Sequence, residues 1–462
     1  MNTHLTGEGI AGFMCFMALV AMLTFTTAFA QQPVPAASDE LVLKAQALID
    51  ALGRNDFQAA AKDLDETMLK VSGPEKLAEF WKQVPSQLGA FKKRTAARRD
   101  KLGAYDIVLV TCEFEKMTLD ARVVFDADKK IGGFQFVPSA PLVKYEPPKY
   151  VDPSTFEERD VTVGSGEWKL PGTLTLPKGK GPFPAVVLVH GSGPNDRDET
   201  IGPNKPFKDI AGGLAAQGIA VLRYDKLTYV HGPKLVADPK LGPALTVKME
   251  TIDGALDGVR LLRTIPEVNK KKIFVLGHSL GGMLIPRIAL AGQDLGIAGF
   301  IVMAGLTEPL AETFLRQIAY ISGLGGKFSD EQKKRIDEMK AQVDKINALK
   351  ASDAGSSEKL LGASPSYWLD LRGYYPPEVA TKIKKPFLIL QGGRDYQVTP
   401  QDFENWKKAL AGRRNLEFRL YAKLNHLFFE GEGMAKPNEY MTTRGPVAEY
   451  VIADIAAFIK KW

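Results

Sequence analysis

A serine flanked by glycines is the residue with the clearest chemical potential in this chain of 462 residues. Ser279 stands within the hexapeptide GHSLGG (277–282), after the apolar run 272–276 and before the helix-forming segment 283–290. A G-x-S-x-G pattern between a strand and a helix predicts a nucleophile elbow, a sharp turn that exposes the serine hydroxyl above the end of a sheet. The pattern therefore predicts Ser279 as a nucleophile. The alternative is a glycine-rich turn that merely contains a serine.

A serine hydroxyl needs a general base, and the base needs a group that orients it. The chain has five histidines, and only His426 follows Ser279. It comes just after the strand-like segment 416–420, in a loop where the base is expected. Asp395 lies just past the apolar strand 386–390 and is predicted as the orienting acid. The alternatives are a surface histidine and an aspartate that only caps the next helix.

A loop upstream of the elbow could supply part of an oxyanion hole. An oxyanion hole requires two preorganised N–H donors, one from the residue after the nucleophile and one from the loop after a neighbouring strand. The buried-strand pattern 183–189 is followed here by the loop sequence HGSGP. We assign the two donors to the backbones of Leu280 and Ser192, with Gly193 as the alternative for the second. His190 is interpreted as structural, with its ring holding the loop through a hydrogen bond.

Together these motifs resemble the α/β-hydrolase superfamily. They are most similar to bacterial secreted serine esterases of the dienelactone-hydrolase-like and serine-aminopeptidase-like branch. The resemblance covers residues 155–462 and rests on an H-G-S-G-P loop, a G-H-S-x-G-G elbow, a G-x-x-D acid and an N-H-x-F base, in that order. It implies that Ser279, Asp395 and His426 form a catalytic triad.

One segment departs from the pattern of the resemblance. Residues 221–226, with the sequence VLRYDK, look like a family segment that usually continues with Arg-Gly, whereas this chain continues with Leu227 and Thr228. The departure leaves the shape of one wall of the acyl site open. Within the segment, Arg223 and Asp225 are interpreted as a scaffold ion pair rather than as catalytic groups.

The reaction implied by the resemblance is acyl transfer from a small-molecule carboxylic ester to Ser279. His426 would take the serine proton, protonate the leaving group and then activate water, while Asp395 would fix the histidine tautomer. The motifs do not separate esters from amides, so a peptidase or amidase with the same triad is the first alternative. The second is a ligand-binding protein with a catalytically silent hydrolase fold.

The composition of the chain limits which other classes of function are expected. Hydrophobic residues make up 45% and charged residues 25% of the chain, as in ordinary globular proteins. The net charge of +6 is spread over lysine-rich segments without an aromatic-studded basic patch, so we expect a solvated surface and no nucleic-acid partner. The sequence has no CxxC or HExxH motif, and we therefore expect no metal and no cofactor.

The N-terminus has the pattern of a signal peptide. Residues 10–30 are almost wholly apolar, and Ala28-Phe29-Ala30 is an A-x-A cleavage site. The first thirteen residues lack Lys and Arg, and the run is long enough to span a bilayer, so a retained anchor is the alternative. We expect a signal peptide over 1–30, cleavage after Ala30, a linker over 31–38, a secreted or periplasmic location, and no stable membrane insertion after cleavage.

A small α+β domain is predicted over residues 39–140. Its pattern indicates helices over 41–52 and 57–69, a third helix from 74, and strands over 105–114, 117–125 and 131–138. The pattern resembles the NTF2-like (cystatin-like) domains that sometimes precede such hydrolases. We expect an accessory role, with small-ligand binding as the alternative. Cys112 is expected to be buried in its strand, and residues 141–154 are expected to form a proline-rich linker.

The remaining residues, 155–462, predict an α/β fold: a mostly parallel sheet with helices on both faces. The segment from about 307 to 381 is too long for a loop and helical in pattern, with a capping box at Ser329. An insertion at this point is expected to fold over the elbow as a cap and to shape the substrate pocket. The residues of the insertion that could line this pocket are Tyr367, Trp368, Leu371, Tyr374 and Tyr375.

Overall fold

The structure is a computed structural model that describes residues 39–102, 105–138, 145–324, 326–441 and 443–462. The chain divides into two compact units, with the boundary between Lys144 and Tyr145. The predicted signal peptide (1–30) and the linker 31–38 lie outside the described residues. Within the described ranges, no helix combines the length and the apolar character that a membrane span requires.

The small unit opens with four helices, Glu40–Gly53, Phe57–Ala61, Glu66–Ser72 and Pro74–Leu88. The prediction of one continuous helix over 57–69 is wrong. The backbone N–H of Asp65 donates to the carbonyl of Ile131 in the sheet, at 3.0 Å, which pulls the chain out of the helix. The Asp65 side chain then caps the next helix by accepting from the N–H of Met68 at 2.6 Å.

Four antiparallel strands follow, in the order β1 (Phe91–Leu102), β2 (Tyr105–Phe114), β3 (Thr118–Phe125) and β4 (Ile131–Pro138). The strand β1 was not expected, because its sequence is dominated by charged residues. It lies at an edge of the sheet, where charged side chains are tolerated and block pairing with other chains. Arg94 of β1, for example, pairs with Asp50 at 2.7 Å. Cys112 is fully buried as predicted, and burial raises the pKa of its thiol to about 12.

The large unit is built on an eight-stranded sheet. Its strands are β5 (Phe156–Val163), β6 (Leu170–Pro177), β7 (Phe183–Val189), β8 (Ala220–Tyr224), β9 (Val268–His278), β10 (Gly299–Met303), β11 (Phe387–Gly392) and β12 (Leu416–Tyr421). Their spatial order is β12-β11-β10-β9-β7-β8-β6-β5. The six strands from β12 to β8 run parallel, whereas β6 pairs antiparallel with both of its neighbours, β8 and β5. This confirms the predicted α/β fold.

The helices of the large unit pack against the buried side chains of the parallel strands. Every residue of β10 and β11 is buried, as expected for strands covered on both faces. The helices outside the insertion are Pro206–Ala215, Leu227–Ala237, Leu241–Ala244, Asp253–Leu262, Leu280–Ala291, Pro400–Ala409, Pro437–Met441 and Glu449–Lys461, and a π-helical turn spans Lys248–Ile252. The helix Leu280–Ala291, which follows β9, is referred to below as the elbow helix.

The insertion between β10 and β11 is helical as predicted. Its helices are Leu310–Gly323, Asp330–Ala348, Pro365–Leu371 and Pro376–Thr381, and the predicted capping box between Ser329 and Gln332 is present. Polar contacts join the insertion to the elbow helix. Arg287 pairs with Asp370 at 2.7 Å, and the hydroxyl of Tyr374 donates to the carbonyl of Met283 at 2.7 Å. The insertion is called the cap below.

Candidate active site

Ser279 occupies a strained turn between β9 and the elbow helix. Its backbone has φ 55° and ψ −116°, a conformation that non-glycine residues rarely adopt and that is concentrated at functional sites. The backbone N–H of Ser279 donates to the carbonyl of Met303, at the end of β10, at 2.9 Å. The side chain is half-buried. The predicted elbow geometry is therefore present at this residue.

Two glycines of the elbow are required by close backbone approach. A Cβ atom at Gly277 would lie 2.3 Å from the carbonyl oxygen of Gly281. A Cβ atom at Gly281 would lie 2.3 Å from the carbonyl oxygen of Val189, at the end of β7. Both distances are too short for any side chain. The two glycines therefore let the elbow turn tightly and pack directly on the neighbouring strand.

Asp395 and His426 are hydrogen-bonded to each other. Nδ1 of His426 lies 2.6 Å from Oδ2 of Asp395, and both side chains are buried. The other carboxylate oxygen, Oδ1, accepts from the backbone N–H groups of Gln397 and Val398 at 2.8 and 3.0 Å. The following helix is capped instead by Thr399, through a capping box with Asp402. Asp395 is therefore not simply the cap of that helix.

The loop that carries His426 is shaped by the residue before it. Oδ1 of Asn425 accepts from the backbone N–H groups of Leu427 and Phe429 at 3.0 and 3.1 Å. Phe428 takes a positive φ of 61°, and its backbone N–H donates to the carbonyl of Asn425 at 3.0 Å, which closes the turn. Such side-chain-to-backbone bonds are how asparagine organises a tight loop. They explain why His426 projects from a compact turn rather than from a mobile surface loop.

The predicted oxyanion loop runs directly against the nucleophile. A Cβ atom at Gly191 would lie 3.2 Å from Cβ of Ser279. Within the described part of the chain, the backbone N–H groups of Ser192, Gly193 and Leu280 donate to no acceptor. Free donors of this kind are what an oxyanion hole requires before a substrate enters. Both Ser192 and Gly193 stay open as the second donor beside Leu280.

His190 is structural, as interpreted. Its ring is buried between the rings of Phe207 and Tyr224, with centroid distances of 5.3 and 5.2 Å. Among the described residues Nε2 of this ring has no hydrogen-bond partner, so the predicted ring hydrogen bond to the loop stays a prediction. Burial lowers the pKa of His190 to about 4, so the ring is neutral near pH 7.

A buried pair that the sequence analysis did not identify joins three loops of the site. Glu199 accepts from the N–H of Gly191 at 2.6 Å through Oε1, and its Oε2 lies 2.9 Å from Nδ1 of His278. Nε2 of His278 contacts the carbonyl oxygen of His426 at 3.0 Å. The pair thus connects the oxyanion loop, the elbow and the base loop. His278 was visible in the elbow motif, but no local pattern marks Glu199 as its partner.

The electrostatics of this pair favour its charged form. Burial acts to raise the pKa of Glu199, but the attraction of the neighbouring His278 outweighs it, and the pKa lies below its ordinary value. Burial acts to lower the pKa of His278, but Glu199 outweighs it, and that pKa lies above its ordinary value. Both shifts favour an imidazolium–carboxylate pair next to the predicted base.

This pair predicts a pH-dependent contribution to stability. The contribution of His278 to the free energy of unfolding is fully present below the unfolded pKa of 6.5. It is lost as the pH rises through the raised pKa of His278 in the folded state. The contribution of Glu199 to the free energy of unfolding is present above the unfolded pKa of 4.5. It is lost as the pH falls through the lowered pKa of Glu199 in the folded state. Replacing Glu199 with Gln should therefore lower the free energy of unfolding more at about pH 6 than at about pH 9. Urea unfolding at both pH values measures this, and an equal or greater cost at the higher pH would contradict it.

The predicted pocket residues of the cap have their polar groups bound within the protein. The hydroxyl of Tyr367 donates to Oε2 of Glu250 at 2.9 Å, and Nε1 of Trp368 donates to the carbonyl of Leu360 at 2.8 Å. As described above, Tyr374 donates to the elbow helix. These bonds fix the three rings in place. A role in lining the pocket stays a prediction for them.

The predicted scaffold ion pair between Arg223 and Asp225 is not formed. The buried guanidinium of Arg223 pairs with Asp198 and Glu158 instead. Asp225 lies beyond the end of β8, and its carboxylate binds the side chain of Arg197 at 2.8 Å. It also accepts the backbone N–H of Arg197 at 2.8 Å, which turns the carboxylate toward that loop. Both residues are structural, but with different partners.

Within the described residues, no group of three or more His, Cys, Asp or Glu side chains is arranged to hold a metal ion. A serine in a strained turn, a histidine bound to a buried carboxylate and free N–H donors beside the serine are the parts of nucleophilic acyl transfer.

Comparisons with known proteins agree with this fold. The model of the alpha/beta hydrolase family matches residues 186–436, and the model of a family described as a protein of unknown function (DUF3887) matches residues 45–134. Esterase EstD of Thermotoga maritima is 39% identical over 414 residues, covering 89% of this chain and 94% of the relative. The two family matches fall on either side of the boundary between the two units.

Solved structures of low sequence identity are also similar. An esterase of Pyrococcus furiosus is 18% identical, with a TM-score of 0.42, and covers 70% of this chain and 99% of its own. Est1E of Butyrivibrio proteoclasticus is 17% identical, with a TM-score of 0.41, and covers 65% of this chain and 98% of its own.

Proposed function

Because this chain belongs to the α/β-hydrolase family, we propose that it is a serine esterase that hydrolyses small-molecule carboxylic esters through an acyl-enzyme on Ser279. The observation that carries the proposal is the 2.6 Å hydrogen bond between His426 and the buried Asp395, on a loop bound to the residue before Ser279. The esterase relative, similar over most of both chains, supports the choice of esters as substrates.

In the proposed mechanism each group has a defined role. His426 takes the proton of the Ser279 hydroxyl as the oxygen attacks the ester carbonyl. The N–H groups of Leu280 and of Ser192 or Gly193 stabilise the negative charge that develops on the carbonyl oxygen. His426 then protonates the departing alcohol and activates the water that hydrolyses the acyl-enzyme. Asp395 keeps the proton of the neutral histidine on Nδ1 and stabilises the imidazolium that forms.

The test of this function is a substrate panel. Purified protein is assayed with a p-nitrophenyl ester series and, in parallel, with aminoacyl and peptide anilides, before and after treatment with a fluorophosphonate. We expect rapid hydrolysis of the esters, weak or no hydrolysis of the anilides, and complete loss of activity after treatment. Preferred hydrolysis of the anilides would favour the peptidase or amidase alternative. Protein that is folded but inert to all substrates and to the probe would favour a silent fold.

Asp395 offers a further prediction for the same assay. Replacing Asp395 with Asn is expected to lower kcat about 10⁴-fold, because the amide stabilises the wrong histidine tautomer while keeping the shape of the side chain. The amide can keep only part of the bonding that the carboxylate makes to Gln397 and Val398. Circular dichroism therefore has to show that the fold is retained. A folded variant with near-normal turnover would contradict the role of Asp395.

We also propose that the chain is exported and cleaved after Ala30. The apolar run 10–30 and its A-x-A ending support this proposal. After expression in a bacterium, the protein in the periplasm or medium should begin at Gln31 when its N-terminus is sequenced. Protein that keeps Met1 and remains in the membrane fraction would instead support a retained anchor.

A further inference from the structure

A buried lysine next to the oxyanion loop is not used in the mechanism above. Lys226 follows β8, and only 1% of its side chain is exposed. Its Nζ donates to the carbonyl oxygen of Gly191 at 2.8 Å and lies 3.4 Å from Oε2 of Glu250, which is also buried. Lysine is almost never fully buried without a partner. The position of Lys226 therefore calls for an explanation beyond packing.

The bond to Gly191 constrains the orientation of a predicted oxyanion donor. A trans peptide is planar, so the carbonyl of Gly191 and the N–H of Ser192 point in opposite directions. Lys226 binds that carbonyl, and Nδ2 of Asn195 binds it as well, at 3.2 Å. The N–H of Ser192 is thus turned away from both side chains, and no described residue accepts from it.

The preceding peptide is held from the other side. The N–H of Gly191 donates to Glu199, so both peptide groups that flank the Cα of Gly191 have a buried, charged partner. This Cα lies against the side chain of Ser279. A loop held at both peptides next to the nucleophile is preorganised, which is the property that makes an oxyanion hole effective.

Glu250 connects this lysine to the cap. Glu250 lies in the π-helical turn Lys248–Ile252, a distortion often found at functional sites. Its Oε2 accepts the hydroxyl of Tyr367 from the cap at 2.9 Å, and its Oε1 accepts the hydroxyl of Thr228 at 3.0 Å. Thr228 stands where the chain departs from the Arg-Gly pattern noted above. A continuous polar chain thus runs from the cap through Glu250 and Lys226 to Gly191.

We propose that Lys226 and Glu250 are positioning residues for ester hydrolysis, which fix the Gly191–Ser192 peptide as an oxyanion donor and tie it to the cap through Tyr367. The inference rests on the proposed esterase function. A buried ion pair is in itself weak evidence for stability, because apolar or neutral replacements are often tolerated. The role that we assign to this pair is to fix the direction of the Gly191 carbonyl group.

The test uses the double variant Lys226→Met/Glu250→Gln in the full chain. Removing both charges leaves no unpaired buried charge, so the fold should be retained. With p-nitrophenyl acetate we expect kcat to fall about 10²-fold, the scale of losing one oxyanion donor, while KM changes little. The affinity for an alkyl trifluoromethyl ketone, which forms a tetrahedral adduct with the serine, should fall by the same factor as kcat/KM.

A matched control removes the ion pair between the cap and the elbow helix. Arg287→Met deletes this pair but leaves Gly191, its partners and the bond from the N–H of Lys248 to Asp370, beside Glu250, in place. We expect kcat of this control to stay near that of the wild type. An equal loss of kcat in the control would show that cap packing, rather than the Gly191 contact, is responsible, and would overturn the inference.

A second variant keeps the inference testable if the first does not fold. Tyr367→Phe retains the ion pair and removes only the bond from the cap to Glu250. We expect a severalfold loss of kcat with a proportional loss of affinity for the ketone. If the wild type is active and the folded double variant keeps its full kcat, this inference alone is overturned. If the double variant does not fold, an undiminished kcat in Tyr367→Phe overturns the inference in the same way. A wild type that is inert to esters overturns the proposed function as well.

Discussion

Replacing Ser279 with alanine is expected to lower kcat for p-nitrophenyl esters about 10⁶-fold and to abolish labelling by a fluorophosphonate. Without the hydroxyl no acyl-enzyme can form, and only oxyanion stabilisation and substrate binding remain to accelerate hydrolysis. The side chain is half-buried and makes no hydrogen bond on which the turn depends, since the turn is held by the backbone bond from Ser279 to Met303. The variant should therefore fold normally.

The measurement is intact-mass spectrometry after treatment with the probe, combined with the ester assay. The matched control is Ser192→Ala, which removes the neighbouring loop hydroxyl but keeps its backbone N–H. We expect this control to keep a single label, located on Ser279 by peptide mapping. A label that persists in Ser279→Ala at full stoichiometry would show that another residue is the nucleophile.

Replacing His426 with alanine is expected to lower kcat by a similar factor, about 10⁶-fold, because nucleophile and base act as a unit. The nearest other ring is that of His278, with a centroid distance of 4.7 Å. It cannot substitute, since its Nδ1 faces Glu199 and its Nε2 faces the carbonyl of His426. The carbonyl belongs to the backbone, so this contact should survive the substitution.

Steady-state kinetics with p-nitrophenyl esters measure this effect. His231→Ala is the matched control: that ring packs on Trp168 and contacts the carbonyl of Lys169, in another part of the unit, and we expect normal kcat. Near-normal turnover in His426→Ala would exclude it as the base.

The cap and the oxyanion loop are connected in a way that bears on substrate selection. Tyr367, which the sequence suggested as a pocket aromatic, donates its hydroxyl to Glu250 and so reaches the oxyanion loop through Lys226. Substitutions of Tyr367 in the cap are therefore expected to alter kcat for every ester alike. A residue that only lines the pocket would instead change the relative rates of different esters.

The three residues of the predicted triad could be proposed from the sequence because each of them is marked by local structure. Ser279 lies in a tight strand–turn–helix, where the carbonyl of Gly281, four residues on, requires glycine at 277. Asp395 and His426 directly follow short strands, and parallel strands bring their carboxyl ends to one edge of a sheet. The capping box at Ser329 and the burial of Cys112 were also predictable, because they depend on neighbouring residues and on strand periodicity.

Other features were decided only by the tertiary structure, because they depend on groups far apart in the chain. Glu199 finds His278, Lys226 finds the carbonyl of Gly191, and Arg223 binds Asp198 rather than the nearby Asp225. Which acid a buried cation selects depends on the course of several loops, and charge alone does not encode it. The charged strand Phe91–Leu102 was missed for a related reason. Its sequence lacks an apolar alternation, and its place at the edge of the sheet, where such charges are tolerated, exists only once the other three strands have assembled.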